Sequence, residues 1–394
     1  MAAVPARILP VIVLSQFAGT SLWFAGNAVV EDLVREVGLG PHAVGDLTSA
    51  VQLGFIVGTL VFAVLSLADR VSPVRVFFAC SLSGALCNLG LFAPDPATLL
   101  ASRFATGFFL AGIYPVGMKI AAGWYQQGLG RAIGYLVGAL VLGTALPHLL
   151  KGLGAGLPWR GVLVSVSVVA AAGGVLMWRL VPDGPHLKHD SRFDPLALVR
   201  VFRAPAFRAS SFGYFGHMWE LYAFWAFVPF ALAAQGSSHG VTLDVSLWSF
   251  AVIAIGALGC VVGGVLSPTV GSARVARFQL FASGVCCVAS PALFHAPTGV
   301  FLVFLLFWGV VVVGDSPQFS ALNARTAPRD RVGSALTIVN CIGFSITIVS
   351  IQLLSRLIGH IPPEWLFLPL ALGPVAGLWA LRPLITASPE SPEH

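Results

Sequence analysis

Long apolar stretches separated by short polar segments dominate this chain. Twelve of them are long enough, at about 20 residues each, to cross the roughly 30 Å hydrocarbon core of a bilayer as helices. The predicted spans are 8–30, 44–67, 74–93, 97–119, 131–150, 159–180, 209–233, 245–267, 275–294, 298–322, 332–356 and 364–385. The pattern therefore predicts an all-α membrane protein with twelve transmembrane helices.

The second six stretches repeat landmarks of the first six about 200 positions later. The matching pairs are Trp23 and Trp225, Gly84 and Gly284, Gly112 and Gly314, and Pro115 and Pro317. Such a repeat is typical of transporters built from two similar halves. We expect a six-helix bundle over 1–185, a cytoplasmic linker over 186–207 and a second six-helix bundle over 208–394.

Composition excludes a water-soluble fold. Hydrophobic residues make up 57% of the chain and charged residues 10%, whereas soluble domains carry about 25% charged residues. The six cysteines all fall inside predicted spans, so we expect neither a structural disulfide nor a metal cluster of cysteine ligands.

Basic residues predict the orientation in the membrane. Of the 22 Lys and Arg residues, 17 lie on the side that carries both predicted termini. By the positive-inside rule, both termini are predicted to be cytoplasmic in a cell membrane, plasma or bacterial inner. The net charge of +6 thus reflects topology, and its spread over many loops argues against a nucleic-acid partner.

Several short motifs resemble the major facilitator superfamily of secondary transporters. The loop after span 2 contains Asp69, Arg70 and Arg75, at the spacing of the family's loop motif, although Leu65 and Ser72 replace its glycines. The equivalent loop after span 8 keeps the glycines and loses the acid. The resemblance implies a gating role for Asp69, Arg70 and Arg75.

Spans 4 and 6 extend the resemblance to nearly the whole chain. Span 4 carries Arg103 followed by Gly107 and Gly112, and span 6 opens with Trp159 and Arg160, both similar to family patterns. The glycine and proline element of drug exporters is absent from span 5, and the nitrate-porter signatures are incomplete. The resemblance implies alternating access around a central cavity lined by spans 1, 4, 7 and 10.

His217 and Glu220 stand three residues apart in span 7, on neighbouring positions of one helix face. Burial favours a neutral carboxyl, so proton coupling is the functional hypothesis. A second interpretation is that His217 only hydrogen-bonds Glu220 to fix the helix. A third combines both residues with Asp315 as ligands of a transition-metal ion.

Asp315 lies in an unusually polar run of span 10 that also contains Pro317 and Gln318. Because Pro317 removes a backbone donor, the helix is predicted to bend or unwind there. Asp315 could bind substrate, carry a proton or act at a gate, or it could only form a salt bridge at a kink.

Arg103 is an always-charged residue in a predicted span, so a partner must compensate it. It could clamp a substrate carboxylate bidentately. Alternatively it forms a fixed ion pair with a neighbouring helix, or extends to the membrane surface.

Uncharged residues complete the predicted substrate site. Gln16 and Asn27 form a polar stripe on span 1, while the aromatic candidates occupy matched or cavity-side positions. The predicted substrate-binding residues are Gln16, Trp23, Asn27, Arg103, Tyr114, Tyr214, Trp225, Asp315 and Gln318.

Together these features predict a secondary transporter that moves a small anionic or polar organic solute by proton-coupled alternating access. We expect a monomer in the lipid bilayer, with solute and protons as partners and with no cofactor, resident metal or enzymatic activity. The alternatives are a proton-driven exporter of metabolites or drugs, a transition-metal ion transporter, a polytopic membrane enzyme and a transporter-like sensor.

Overall fold

The structure is a computed structural model that describes residues 4–126, 128–153, 157–187, 200–328 and 331–386. These residues form helices joined by turns, with no β-strand among them. Within this described part of the chain, ten helical segments are long and apolar enough to cross a membrane. The other two predicted spans are span 1, which is interrupted, and span 7, which is the longest helix described.

The first six spans are continuous helices except for spans 1 and 4. Their helices are Ile8–Thr20, Ala25–Ala28 and Val30–Val37 (span 1), Ala43–Val64 (span 2), Pro73–Asn88 (span 3), Pro96–Leu110 and Tyr114–Trp124 (span 4), Leu129–Leu153 (span 5) and Trp159–Leu180 (span 6).

The second six spans follow the same order. Their helices are Pro205–His239 (span 7), Val245–Ala254 and Gly256–Val270 (span 8), Ser272–Phe294 (span 9), Thr298–Gly314 and Ser316–Thr326 (span 10), Val332–Leu357 (span 11) and Leu372–Thr386 (span 12), the last preceded by the short turns Pro363–Trp365 and Leu368–Ala371. Most of the predicted linker, residues 188–199, lies outside the described residues, so the domain boundaries stay a prediction.

Local chemistry explains several helix starts. Pro96 occupies the first turn of span 4, where a missing amide hydrogen costs nothing. Asp95 caps the same helix by accepting a 2.8 Å hydrogen bond from the Thr98 amide, which lowers the pKa of its carboxyl. Asp244 caps span 8 in the same way through the Leu247 amide at 2.9 Å.

Proline breaks the two spans that correspond in the repeat. Span 4 stops at Leu110 and restarts just before Pro115, and span 10 stops at Gly314 and restarts just before Pro317. The bend predicted at Pro317 is therefore confirmed. Each proline sits in the first turn of the new helix, where it is tolerated.

Close packing is repeated in the two halves. Spans 2 and 4 cross at Gly54 and Gly107, and spans 8 and 10 cross at Gly259 and Gly309. A Cβ atom at any of these glycines would overlap a backbone carbonyl of the facing helix, so only glycine permits the contact. The facing carbonyls belong to Phe104, Val51, Val310 and Val252, respectively.

Span 1 begins and span 12 ends on the same side of the molecule, which we name the terminus side. The other side is named the opposite side. On the opposite side, the two halves meet where span 2 begins and span 11 ends. The His42 ring nitrogen Nδ1 lies 3.1 Å from the Ser355 carbonyl oxygen, and Gln352 donates to Asp46 at 3.3 Å and to Ser49 at 3.0 Å. Between described residues, every side-chain hydrogen bond that joins the halves connects spans 2 and 11.

Candidate functional site

An aromatic cluster joins the two halves at the centre of the molecule. The Trp23 ring lies 5.6 Å from Tyr222 and 5.5 Å from Phe344, measured between ring centroids. Phe55 packs on Phe344 at 4.4 Å, and Trp225 meets the first half through Phe24. The repeat pair Trp23 and Trp225 therefore belongs to one interface, as matched positions of a two-fold repeat should.

Trp23 and Asn27 are held within the first half. The Trp23 indole donates to the Gln52 side chain at 3.1 Å, and the Asn27 amide donates to the Thr48 hydroxyl at 2.7 Å. The Asn27 side-chain oxygen is buried and has no hydrogen-bond partner among the described residues. This oxygen is free to accept a hydrogen bond from a bound solute.

Gln16 is placed away from the interface. Its side chain packs between Gly117 of span 4 and the Phe77 ring of span 3, inside the first half. Neither polar atom of its amide has a hydrogen-bond partner among the described residues. A substrate-binding role for Gln16 stays a prediction.

Tyr114 and Tyr214 lie on the terminus side of the aromatic cluster. Tyr114 is half-buried and packs edge-on against Trp23 at 6.4 Å. The Tyr214 hydroxyl donates to the Asn340 side chain at 3.0 Å, and Asn340 is itself half-buried. Phenol and amide groups from spans 4, 7 and 11 thus supply uncharged hydrogen-bonding positions near the centre.

Arg103 is fully buried and caps the break in span 1. Its guanidinium donates to the backbone carbonyls of Leu22 at 3.2 Å and Trp23 at 2.5 Å, and to the Asn88 side chain at 3.3 Å. Those carbonyls follow the end of the first helix and lack the amide partners of a continuous helix. The negative end of a helix dipole also favours a cation there.

This arrangement disagrees with two expectations for Arg103. Arg103 forms no ion pair with an acid among the described residues, and its two terminal nitrogens already donate to protein oxygen atoms, whereas its Nε atom has no hydrogen-bond partner there. The side chain does not extend to the membrane surface, since none of it is exposed. Arg103 therefore has a structural partner set, and a bidentate clamp on a substrate would have to displace it.

His217 and Asp315 form a buried pair between spans 7 and 10. The His217 Nδ1 and Asp315 Oδ1 atoms are 2.8 Å apart, and both side chains are 1% exposed. Asp315 occupies the residue between the two helices of span 10, so its carboxylate lies at the positive N-terminal end of the second helix. Among the described residues, neither Asp315 Oδ2 nor His217 Nε2 has a hydrogen-bond partner.

Glu220 points to a different set of partners. One of its carboxylate oxygens accepts from the Trp308 indole at 2.7 Å, from the Cys287 thiol at 3.3 Å and from the Ser283 hydroxyl. These residues belong to spans 9 and 10, within the second half. The interpretation that His217 hydrogen-bonds Glu220 is therefore wrong, because each has another partner.

The same separation bears on the transition-metal alternative. Within the described parts of the chain, no three His, Cys, Asp or Glu side chains converge closely enough to hold a metal ion. His217, Glu220 and Asp315 consequently do not form the ligand set that this alternative requires.

Gln318 follows Asp315 on the second helix of span 10 and is 2% exposed. Its amide nitrogen would lie 3.3 Å from a Cβ atom at Gly263, against span 8. A Cβ atom at Gly314 would overlap the Gln279 side chain of span 9, and one at Gly263 would lie 3.2 Å from the Gln279 amide nitrogen. The glycines thus admit two amide side chains next to the Asp315 break.

The predicted gating residues lie on the terminus side. Asp69 forms an ion pair with Lys119 of span 4, which ties the loop after span 2 to the end of span 4. Arg70 and Arg75 are exposed. A gating role remains a prediction for all three residues.

Sequence reasoning missed five residues of these sites. Asn88, Ser283, Cys287 and Trp308 contact the buried charges, and His148 of span 5 is 2% exposed with its Nε2 atom unpartnered among the described residues. The four-residue spacing of Ser283 and Cys287 on span 9 was a usable signal for a shared helix face. His148 was overlooked because it stands near the end of its span.

A twelve-helix fold whose broken spans 1, 4 and 10 meet span 7 around buried ionisable groups is the architecture of a membrane transporter made of two repeated halves. The chain belongs to the Major Facilitator Superfamily, whose sequence profile matches residues 11–386. No curated protein sequence matches the chain.

Two solved structures share the fold. The proton:xylose symporter XylE bound to 6-bromo-6-deoxy-D-glucose has 13% sequence identity and a TM-score of 0.75, with 96% of each chain covered. The human organic anion transporter MFSD10 (TETRAN) has 15% identity and a TM-score of 0.73, covering 95% of this chain and 99% of the other.

Proposed function

We propose that this protein is a proton-coupled secondary transporter of a small polar organic solute. It works in a cell membrane, with its termini in the cytoplasm, where 17 of the 22 basic residues would then lie. The observation that carries the proposal is the buried pair of His217 and Asp315 at the break of span 10.

The pair suits a proton carrier because its net charge changes by one with each proton. With one shared proton it is neutral overall, as an ion pair or as a neutral imidazole beside a carboxylic acid. A second proton makes the pair cationic, and loss of the shared proton leaves it anionic. Either net charge is costly in a site that contains no water. Opening the site to water relieves that cost, so proton binding and conformation are coupled.

Glu220 is proposed to play a structural role. Its donors on spans 9 and 10 satisfy one carboxylate oxygen and lie in the same half of the molecule. If the partners of Glu220 stay the same while the two halves move, protonation of Glu220 costs the same in both transport conformations. It then cannot favour one conformation over the other. The proton is therefore assigned to His217 and Asp315.

The proposed solute is polar and need not carry charge. Arg103, the cation on which an anionic solute would depend, is occupied by the carbonyls of Leu22 and Trp23. The groups nearest the interface are aromatic rings, phenols and amides, which suit a hydrogen-bonding molecule with apolar faces. Of the two fold neighbours, the one described as a proton:xylose symporter carries an uncharged polar solute, which supports this proposal, whereas the other is described as an organic anion transporter.

Alternating access follows from where the halves touch. The hydrogen bonds between spans 2 and 11 hold the opposite side closed, and Tyr114 and Asn340 on the terminus side are half-buried. With cytoplasmic termini, we assign the described conformation to a state closed toward the outside, and transport would require these bonds to break.

Purified protein in proteoliposomes tests the proposal. An imposed pH gradient should drive accumulation of one member of a panel of radiolabelled sugars, polyols, amino acids and carboxylates, and a proton ionophore should abolish it. Solute movement in the direction opposite to proton flow would indicate antiport, as expected of an exporter. Transport that is indifferent to the gradient and the ionophore would refute proton coupling.

A further inference from the structure

A seam of small residues joins spans 5 and 8 from one side of the membrane to the other. A Cβ atom at Gly134 would lie 3.6 Å from the Cys260 carbonyl oxygen, and one at Gly138 would lie 3.7 Å from the Ala257 carbonyl oxygen. Near the opposite side, Gly152 meets the Leu247 side chain. An added methyl group would already be in van der Waals contact at Gly134 and Gly138, so the small residues let the two helices pack closely along the seam.

His148 lies on the same stripe of span 5. Positions 134, 138, 141, 145, 148 and 152 follow one another at helical spacings of three and four, so they share one helix face. The stripe faces span 8 at positions 134, 138, 141 and 152, since Val141 also lies 3.4 Å from a Cβ atom at Gly256. His148 therefore belongs to the contact between the halves, one helical turn from the opposite-side end at Leu153.

No charged group compensates a proton on His148 within the described residues around it. Its Nε2 atom is buried without a hydrogen-bond partner, and the facing helix Val245–Ala254 contains no ionisable side chain. Lys151, one turn further along span 5, is paired with Asp32, and Arg103 is bound to the carbonyls of span 1. Asp244 caps span 8 from an exposed position at the end of the seam.

The other charged groups on helices packed against span 5 are farther along the membrane. Lys119 pairs with Asp69 on the terminus side, and Arg160 pairs with Glu36 at 2.9 Å on the opposite surface. Arg131, Arg179 and Arg325 occupy helix ends on the terminus side. Among the described residues, none of these charged side chains is placed to compensate a proton on the His148 imidazole.

We propose that His148 is a proton-binding site that controls opening of the seam toward the opposite side. Burying a protonated imidazole between closely packed helices costs free energy. This cost falls when the halves separate and water reaches the imidazole. Acid on the opposite side therefore favours the open state. The inference rests on the proposed alternating access but assigns a second proton site, separate from His217 and Asp315.

The link between proton binding and opening determines how strongly pH changes the open fraction. If only the open state accepts the proton, the ratio of open to closed molecules rises by up to about tenfold for each unit of falling pH, across the range of about 5 to 8 in which imidazole titrates. The reverse holds as well, so at alkaline pH the seam stays closed. Loading of solute would thereby be favoured on the acidic side of the membrane.

Pulsed electron spin resonance between two spin labels measures this opening directly. Cysteines introduced at Leu153 and Thr242, both exposed on the opposite side, report the distance between the ends of spans 5 and 8. Cys87, the one native cysteine that is only half-buried, is replaced by serine so that it does not take up label. The open fraction should rise as the pH is lowered from 8 to 5 without any solute present.

Variants separate the outcomes. His148→Gln, similar in size and uncharged, should remain closed at every pH, whereas His148→Arg should favour the open state at every pH. His217→Gln is the matched control, because it should lose proton-driven transport yet keep the pH-dependent distance. A wild-type distance that ignores pH, or a pH response that survives in His148→Gln, would overturn the proposal, and neither result would bear on proton coupling at Asp315.

Discussion

Spans 1 and 7 are counterparts in the repeat, and they differ in continuity. Span 1 is interrupted between Thr20 and Ala25, whereas span 7 runs unbroken from Pro205 to His239. Arg103 supports the break by donating to the carbonyls of Leu22 and Trp23, and the position corresponding to Arg103 in span 10 is Leu305. A continuous helix satisfies its own carbonyls, so the second half has no use for a cation there.

The two halves also differ in the sign of their buried charge. The first half buries the permanent cation of Arg103, which donates hydrogen bonds to uncharged backbone and amide oxygens. Among its described residues, the second half buries the acids Glu220 and Asp315 and the histidine His217, and Asp315 is paired with His217. A guanidinium cannot release its proton under physiological conditions, whereas acids and imidazoles can. The comparison therefore assigns a structural role to Arg103 in the first half and places the proton that drives transport in the second half.

Replacing Arg103 by the residue of its counterpart position tests the first part of this comparison most severely. Arg103→Leu leaves two buried carbonyls without donors, at roughly 1 to 3 kcal/mol each, so we expect the largest loss in free energy of unfolding. Unfolding by sodium dodecyl sulfate in mixed micelles, followed by circular dichroism, measures it.

Leu305→Met is the matched control for this experiment. It is a volume-conserving change at the counterpart position and should cost less than about 1.5 kcal/mol. Equal stability losses for Arg103→Leu and Leu305→Met would show that the guanidinium does not support the break.

Trp308→Phe probes how the second half holds Glu220. The change keeps the aromatic packing on Phe224 and Phe304 but removes the indole donor, so roughly 1 to 3 kcal/mol should be lost. The same unfolding measurement applies. If the double variant Trp308→Phe with Glu220→Leu is no more stable than Trp308→Phe alone, the indole does not serve the carboxylate.

Ser283→Ala and Cys287→Ala should have smaller and unequal effects. The serine hydroxyl is the stronger donor, so its loss should cost about 1 kcal/mol, and loss of the weak thiol donor should cost less. Stability measured for the two variants side by side gives the order. A larger loss for Cys287→Ala would mean that packing outweighs hydrogen bonding at this carboxylate.

Glu220→Gln should have the smallest effect on transport. Glutamine keeps an acceptor oxygen for the donors on spans 9 and 10, and the proposal places the proton elsewhere. Gradient-driven accumulation in proteoliposomes should match that of the unmodified protein. Loss of accumulation with normal folding would return the coupling role to Glu220.

The fold was predictable from sequence because the membrane imposes it. A bilayer demands helices of about 20 apolar residues, so spans 5, 6 and 11 were predicted to within a few residues of their observed ends. Pro317 likewise predicted the break in span 10. The break in span 1 was not predicted, since Ser21 to Phe24 contains neither proline nor glycine and the break depends on Arg103 from another span.

The candidate site was only partly predictable, because partners depend on how helices face one another. The sequence identified the buried ionisable residues Arg103, His217, Glu220 and Asp315, but their helical spacing suggested a pair of His217 with Glu220. In the structure, His217 pairs with Asp315 on span 10, whereas Glu220 accepts a hydrogen bond from Ser283 on span 9. One helix face can border two neighbouring helices, and spacing alone does not distinguish them.

The most direct test of the central claim compares two transport modes of Asp315→Asn, with the solute that the uptake panel identifies. Asparagine resembles the protonated acid but cannot release a proton. Exchange of labelled for unlabelled solute at equal pH should therefore persist, while accumulation driven by a pH gradient should disappear. In the unmodified protein each pH unit can support about tenfold accumulation per proton. Gradient-driven accumulation that survives in Asp315→Asn would contradict the assignment of the proton to the pair of His217 and Asp315.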